Sequence, residues 1–493
     1  MTLRTVLEEM EVVAVRGDAG VEISGLAYDS RRVRRGDLFF ALSGVHADGR
    51  AFVREALDAG AAAAVVAAGS DVEGAAATLI EVEEPRRALA QAALRYWDHP
   101  SRELAVVGVT GTNGKTTTTY LVHAILTHAA VPAALAGTTG VRFGGEHRPS
   151  SFTTPEAPEL QSLLREMVRR GVRAAAFELS SHALVQRRCF GIDPDVAVFT
   201  NLSHDHLDYH GTLENYLDAK LMLFDRRNDP ASAKRATAVI NADDPAFPAV
   251  RDAARAGRLA ITTYGAAAGA DVVIESVTPR ASGLGFTLRE GDRAREVTLP
   301  LLGRYNAWNA AAAYGAARAL GIAADIAAAG LAGAAGVPGR LERVEAGQPF
   351  AVVVDYAHTP DALARALEAV REHFENRVLL VFGCGGDRDR AKRPVMGRIA
   401  AEGTDLGWIT NDNPRTEEPG AIAAEIAEGD AAGRLRIELD RNTAIGTAIA
   451  AARPGDVVLI AGKGHETTQT IDDRMMPFDD RLVARAHLVR RPS

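Results

Sequence analysis

Gly108-Val-Thr-Gly-Thr-Asn-Gly-Lys-Thr-Thr117 is the stretch on which the rest of the chain turns. It follows the apolar run Leu104–Val109 and leads into a helix-like segment, Thr116–Ala129. A buried strand, a glycine turn and a helix start together build a phosphate cradle, because free backbone N–H groups and the helix dipole both face an anion. Gly111 and Gly114, around Thr112 and Asn113, let the backbone close on phosphate oxygens. Lys115 offers a cation to the terminal phosphates, the Thr116 hydroxyl suits Mg²⁺, and Thr117 extends the first turn. The spacing departs from GxxxxGK(S/T), since Val109 stands where the first glycine belongs. An ordinary strand-to-helix turn is the plainer alternative. A Gly-Lys-Thr triplet directly after a strand favours an ATP site.

With 493 residues the chain is too long for one core and fits about three domains of usual size. Hydrophobic residues make up 47%, charged residues 24%, and the formal charge is -8, a composition that excludes nucleic-acid binding through bulk charge. An acidic chain that binds anions must concentrate its cations locally. Cys189 and Cys384 are the only cysteines, too few for a disulfide framework or a cysteine-rich zinc site. The opening residues lack an apolar signal core and no run of about 18 strongly apolar residues follows, so a cytoplasmic protein without membrane insertion is expected.

Before the glycine turn, Val21–Phe40 predicts short strands and Ala51–Gly60 a helix leading into the strand-like Ala61–Ala67. Tyr28-Asp-Ser-Arg31 and Gly44–Gly49 are polar loops at element ends, where turns and binding groups both occur. Tyr96–Ser101, with its proline, predicts a linker. Beyond the turn, apolar strands (Ala174–Leu179, Val196–Thr200, Ala238–Ile240) alternate with helical stretches (Pro158–Arg169, Leu213–Phe224), the order of a parallel sheet covered by helices. Ligands gather at the C-terminal ends of such strands. Glu178–His182, Thr200–Asp208 and Asn241–Asp244 fall there, and Glu178 and His206 would complement Thr116 around Mg²⁺. A strand-end salt bridge is the alternative for Glu178. Zinc at His204–His210 is disfavoured, because thiolates and a helical HExxH are both missing. By pattern alone Lys220 is solvated helix surface. Asp271–Leu301 alternates apolar and polar positions, which predicts antiparallel strands appended to the sheet. Asn306 and Asn309 then share one helix face, facing an adenine edge or, for Asn306, capping the helix.

The combination of Gly111–Thr117, Glu178, Asn201-Leu-Ser-His-Asp-His-Leu-Asp-Tyr-His210 and Asn306 resembles the Mur ligases, three-domain ATP-dependent amide-forming enzymes of peptidoglycan precursor synthesis. The resemblance runs from Asp29-Ser30 to Gly462-Lys-Gly-His-Glu466 and is strongest for ligases adding the third stem-peptide residue to UDP-N-acetylmuramoyl-L-alanyl-D-glutamate. It implies an α/β architecture in three parts: 1–99, a small uridine-nucleotide domain; 100–337, a central P-loop ATPase-like parallel sheet with appended antiparallel strands; and 338–493, a Rossmann-like amino-acid-binding domain. It implies that Tyr28 and Ser30 contact the UDP substrate, with Thr153, Thr154, Ser180, Gln186 and Arg188 on its muramoyl-dipeptide part. The chain departs from some relatives at Phe152, where they carry Asn. Lys115, Glu178, His206 and Lys220 are implied as the catalytic set, with Thr116, Glu178, His206 and a CO₂-carbamylated Lys220 around two Mg²⁺ ions.

The last third reads as a new α/β series, with strands near Ala351–Asp355, Val378–Phe382, Gly407–Thr410 and Val457–Ala461. Gly383–Asp389 lacks GxGxxG spacing, which excludes a dinucleotide fingerprint. By resemblance Arg340 approaches the phosphates and Asp355 the ribose, so the active site forms on domain closure. Asp412-Asn-Pro-Arg415 places a guanidinium at a strand end, where it suits a carboxylate; a surface loop is the alternative. The resemblance makes it a meso-2,6-diaminopimelate signature, with Arg388, Asp412, Asn413, Pro414, Arg415, Gly462 and Glu466 lining the pocket. Lysine-adding and folate-polyglutamylating ligases share the ATP core, and a nucleotide switch that has lost its chemistry is the rival outside enzymes. A monomer acting on small molecules alone is expected.

Overall fold

The computed structural model describes residues 1–44, 48–70, 78–150, 152–229, 231–232, 234–472 and 474–491; positions 45–47 of the Gly44–Gly49 loop thus lie outside the described residues. The chain divides into two compact units, 1–272 with 312–327, and 273–311 with 328–493.

The first unit holds two sheets. In the N-terminal one the strands run in the order Val12–Arg16, Thr78–Val82, Ala63–Ala67, Asp37–Phe40, Gly25–Ala27, with only the first antiparallel to its neighbour. Strand alternation builds two cores from one sheet. Leu38, Phe40, Val65 and Ile80 face Ala88, Leu89 and Ala92 of the helix Pro85–Tyr96, while Phe39, Val66 and Leu79 pack on Val53 and Ala56. The expected linker after that helix is tied down, because Arg165 donates to the Trp97 and Asp98 carbonyls at 2.9 and 2.7 Å.

The larger sheet places Ala105–Thr110 between Val196–Phe199 and Ala174–Glu178. Ala133–Gly137 lies beyond the latter, and Thr237–Asn241 and Ala260–Gly265 beyond the former, all parallel. Apart from the outer strand Ala260–Gly265, their apolar runs are buried on both faces, as parallel strands under crossover helices must be. The strand that carries the glycine turn is therefore central, and the loops after its two neighbours end beside it.

In the second unit, Gly283–Glu290 and Arg293–Leu299 pair antiparallel as a hairpin within the stretch expected to form antiparallel strands. A six-stranded sheet follows in the order Glu342–Arg343, Ala351–Asp355, Val457–Ala461, Val378–Phe382, Leu406–Ile409, Leu435–Ile437, parallel except for its first strand. Helices Pro360–His373, Lys392–Gly403 and Pro419–Ala427 cover one face; Arg441–Ala451 and Asp480–Arg490 cover the other. No helix among the described residues is long and apolar enough to cross a membrane.

One buried carboxyl couples the first unit's fold to pH. Asp229 is buried, accepts the Asp193 N–H at 2.8 Å, and burial pushes its pKa up to about 7, with the Asp193 charge adding to the rise. Its folded pKa exceeds the unfolded value, so the native state binds the extra proton, and stability falls as pH rises from about 4 to about 7. Asp229→Asn keeps the acceptor but cannot ionise. Urea titrations should show wild type losing a few kcal/mol relative to this variant across that window; a pH-independent difference would contradict the assignment.

Candidate functional site

Gly111 has φ +144° and Gly114 φ +86°, and the helix Lys115–His128 begins directly afterwards. A Cβ on Gly111 would lie 1.9 Å from Thr200 Oγ1, so the turn accepts only glycine there. The segment after the strand Val196–Phe199 clamps the turn. Thr112 N–H donates to the Asn201 carbonyl at 2.8 Å, Asn113 N–H to Asn201 Oδ1 at 3.0 Å, and Thr200 Oγ1 to the Asn113 carbonyl at 2.6 Å. The Asn241–Asp244 cluster holds the clamp in turn: Asn241 Nδ2 donates to the Thr200 carbonyl at 2.8 Å, and Asp244 Oδ2 accepts the Leu202 N–H at 3.0 Å. Lys115 Nζ donates to the Gly111 and Thr112 carbonyls at 2.9 and 2.7 Å. Thr117 is buried in the first turn.

Thr116 Oγ1 donates to Glu178 Oε2 at 3.0 Å, so the structure joins the two expected cation ligands. Glu178 makes no ion pair among the described residues. It accepts instead from the Thr138 hydroxyl at 3.0 Å and the Thr138 N–H at 2.9 Å, which replaces the strand-end salt bridge considered from sequence. The sequence does not mark Thr138, because a lone threonine after a short strand carries no spacing signal. Among the described residues no three His, Cys, Asp or Glu side chains converge as a metal cage. Hydroxyl and carboxylate oxygens in a glycine cradle are the hard donors that Mg²⁺ takes together with phosphate, and the residues fit that ion.

Lys220 corrects the surface assignment that its pattern gave. It is 1% exposed, donates from Nζ to the Gly111 carbonyl at 2.9 Å, and sits 3.9 Å over the Tyr216 ring. Burial, and then the nearby Lys115 charge, hold its pKa well below the usual lysine range. Residue 220 lies on a short helix, Leu213–Leu221, whose face is covered by the glycine turn, and local periodicity cannot report a cover that arrives from 109 residues away. His206 has φ +54° and packs against His182, with ring centres 4.9 Å apart, and Tyr216 at 5.9 Å. Burial lowers its pKa, and it lowers that of His182 to about 4.

The five dipeptide candidates form one wall beside Glu178. Thr154 Oγ1 donates to the Glu178 carbonyl at 2.8 Å and accepts the Ser180 N–H at 3.2 Å, while Thr153 and Thr138 hydroxyls bond at 3.1 Å. Arg188 donates to Gln186 Oε1 at 2.6 Å and to the Thr154 carbonyl at 3.4 Å. Phe152 lies under the Arg188 guanidinium, 5.0 Å from ring centre to Cζ. No hydrogen bond joins Tyr28 or Ser30 to this wall among the described residues. Tyr28 donates to Glu159 Oε1 at 2.8 Å, and Ser30 opens a 3₁₀ turn capped by Asp29.

In the second unit, Asn306 Nδ2 donates to the Leu302 carbonyl at 2.6 Å and Asn309 Nδ2 to Asn306 Oδ1 at 2.8 Å. A capping side chain accepts from helix N–H groups, so Asn306 is not the cap. Asp355 clamps backbone, accepting the Leu341 and Ala357 N–H groups at 2.7 and 2.8 Å, and Arg340 lies over the Tyr356 ring at 5.0 Å. Burial raises the Asp355 pKa. Arg415 adopts φ +52° and donates to the Gly386 carbonyl at 2.5 Å; a Cβ on Gly386 would meet the Pro414 carbonyl oxygen at 1.8 Å. Arg388 is exposed and bonds the Asp387 carbonyl at 3.0 Å. Asp412, Asn413 and Glu466 gather around Lys463, and Gly462 has φ +119°. The sequence does not mark Lys463, because a single lysine after a strand looks like ordinary surface.

Three family patterns match the chain: Mur ligase family, catalytic domain, at residues 22–97; Mur ligase middle domain at 109–317; and Mur ligase, glutamate ligase domain, at 339–464. The chain is 43% identical over 493 residues to the UDP-N-acetylmuramoyl-L-alanyl-D-glutamate--2,6-diaminopimelate ligase of Syntrophomonas wolfei subsp. wolfei, covering 99% of both. It is 46% identical over 475 residues to the ligase of the same name from Gloeobacter violaceus, covering 96% of this chain and 95% of the relative. A solved structure of a ligase of that name superposes with a TM-score of 0.73 at 34% identity, covering 99% of both chains. A MurF ligase from Thermotoga maritima in complex with ADP, 22% identical, shares the fold with a TM-score of 0.61 over 95% of this chain and 96% of that one.

Gly137 tests the Thr116–Glu178 geometry. A Cβ there would lie 2.0 Å from Glu178 Oε1, while the backbone needs no left-handed angle. Gly137→Ala should therefore swing the carboxylate off Thr116 and weaken Mg²⁺-dependent ATP binding about tenfold or more, with circular dichroism unchanged. Calorimetry giving wild-type affinity would refute the role of this pair.

Proposed function

The chain belongs to the Mur ligase family, and on that premise we propose that it is an ATP-dependent, ADP-forming amide ligase adding meso-2,6-diaminopimelate to UDP-N-acetylmuramoyl-L-alanyl-D-glutamate. The product is a peptidoglycan precursor, and the proposed setting is the cytoplasm. The names of its relatives support the choice of substrates. The observation that carries the chemistry is the convergence of Lys115 and Lys220 on the Gly111 carbonyl, beside the Thr116–Glu178 pair. A cation, Lys115, and cation ligands are pooled at one phosphate-sized turn, on a chain of net charge -8.

In the proposed reaction the D-glutamyl γ-carboxylate attacks the γ-phosphorus of ATP, breaking the bond to the bridging oxygen and releasing ADP. The acyl phosphate is then attacked by the deprotonated amine of diaminopimelate; a tetrahedral adduct collapses, phosphate leaves, and the amide forms. Lys115 neutralises phosphoryl oxygens where charge develops, and the N–H groups at the helix start, 114–116, hold the triphosphate in line. Thr153, Thr154, Ser180, Gln186 and Arg188 orient the dipeptide whose carboxylate reacts. Thr116, Glu178 and His206 would hold Mg²⁺, which supplies charge neutralisation between phosphate oxygens. The depressed pKa of Lys220 supports its carbamylation, since a neutral amine is the form that adds CO₂. Asn306, Arg340 and Asp355 are assigned to the nucleotide, Tyr28 and Ser30 to the uridine part, and the functional parts to 1–99, 100–337 and 338–493.

Diaminopimelate differs from lysine by one distal carboxylate, so its selection calls for a fixed cation. Arg415, aimed by its Gly386 bond, is that group, with Arg388, Asn413, Gly462 and Glu466 around it. ADP release measured with ATP, the UDP-dipeptide and either amino acid should depend on diaminopimelate; dependence on lysine would identify the rival ligase, and no release would refute ligase activity. In this assay Lys115→Ala should lower turnover about 10³-fold or more, the scale of a lost transition-state donor; retained turnover would sink the ATP assignment. Arg415→Met should raise KM for diaminopimelate about thirtyfold or more, from the lower end of a truncated charge pair, with KM for ATP unmoved.

A further inference from the structure

Behind the Asp412–Arg415 turn the second unit buries a lysine that neither the phosphate chemistry nor the Arg415 fork uses. Lys463 follows the strand Val457–Ala461 and its side chain is 0% exposed. An ammonium taken out of water must be repaid with acceptors for its three N–H donors. Nζ donates to Asn413 Oδ1 at 3.1 Å and to Glu466 Oε2 at 3.2 Å, and Asp412 Oδ1 lies 3.6 Å away. That Asp412 oxygen is buried without a hydrogen-bond partner, so its compensation comes from the fields of Lys463 and, at longer range, Arg441. Arg441, the other buried cation here, is already matched by Asp480, which it meets twice at 2.8 and 2.7 Å.

The arrangement fixes the outer groups. Asn413 Nδ2 donates to Glu466 Oε2 at 3.0 Å, while its Oδ1 takes both Lys463 and the Thr470 N–H, at 3.0 Å for the latter, so the carboxamide has one orientation. Glu466 Oε2 thus receives two donors. Oε1 has no hydrogen bond among the described residues, and the side chain is 32% exposed. Lys463 and Arg441 against the Asp412, Glu466 and Asp480 carboxylates leave one net negative charge, and Glu466 is the most exposed of the three carboxylates. A fixed, outward carboxylate oxygen with uncompensated charge is a receptor for a second ammonium.

Resting on the assignment as a diaminopimelate ligase, we infer that Lys463 is a positioning residue for the incoming amino acid: it locks Asn413 and Glu466 so that Glu466 Oε1 receives the distal ammonium of the substrate. Lys463 itself touches only protein. Without it Asp412 and Glu466 lose the ammonium they share, and Glu466 is free to turn. With it, the site accepts one positive charge in a defined place, which a purely structural lysine would not govern.

The test is the ADP-release assay on Lys463→Met, Lys463→Gln and Lys463→Arg. Met and Gln should raise KM for diaminopimelate about tenfold or more while KM for ATP and for the UDP-dipeptide stay within about twofold, and Arg, which restores the charge, should recover part of the loss. Should the Met variant fail to fold, Gln keeps a donor for Glu466 without the charge and decides the matter alone. An unchanged diaminopimelate KM in the Gln variant, or an equal rise in all three KM values, overturns the inference. Wild-type release that is independent of diaminopimelate would instead overturn the assigned activity, and that control is measured before any variant.

Discussion

Thr200 Oγ1 occupies the space that a side chain at residue 111 would need, and the chemistry of the first unit is arranged around that close approach. The hydroxyl reaches the Asn113 carbonyl, and its neighbour Asn201 takes the Thr112 and Asn113 N–H groups. A Cβ at 111 would lift the turn off this clamp. Because the Gly111 carbonyl also receives both Lys115 and Lys220, the same displacement would unseat the two amines. One missing side chain therefore couples loop conformation, cation placement and the burial of a helix 109 residues downstream. The sheet makes this possible by putting Ala105–Thr110 between its two functional neighbours, so that three strand ends meet at one point.

Two lysines sharing one carbonyl create an electrostatic conflict, and burial resolves it. Both amines cannot stay charged cheaply at that separation from solvent; Lys115 lies on the turn side, and Lys220 is the one enclosed. Desolvation dominates the fall in its pKa and the Lys115 charge adds to it, while Asp205 only partly opposes them. The turn thereby holds Lys115 beside a second amine whose charged form burial disfavours.

What the sequence made legible followed from local chemistry. The glycine turn, the parallel order of strands and the hairpin at 283–299 each leave a pattern within a short window, and each stands in the structure. Lys220, Thr138 and Lys463 left none, because their environments are assembled from segments far apart in the chain. Only the resemblance drew Lys220 out of the surface class. Asn306 shows the intermediate case. Its helix face was predictable, but the choice between capping and a buried carboxamide chain depended on whether residue 306 stands before the first turn or inside it, a shift of one or two positions that propensity does not resolve. Tyr96–Ser101 shows the opposite case: proline and polar residues mark an irregular backbone, and Arg165, 68 residues on, fixes it.

The second unit spends buried charge where apolar packing would be the more stable choice, and its strand ends explain why. Removing a buried pair such as Arg441–Asp480 in favour of well-packed hydrophobic residues is often neutral or stabilising. No apolar side chain, however, can hydrogen-bond a carbonyl. Arg441 donates to the Ala461 carbonyl at 3.0 Å and the Asn411 carbonyl at 3.4 Å, the last residue of one parallel strand and the second residue beyond another, where the ladder stops. Those two ends are where Gly462–Glu466 and Asp412–Arg415 depart. A single guanidinium thus sets the starting point of both loops, and Asp480, on the helix that covers this face, keeps that guanidinium from being a lone buried charge. The ion pair is better understood as a means of registering two loops against each other than as a source of stability, since it satisfies backbone groups that the sheet itself leaves open.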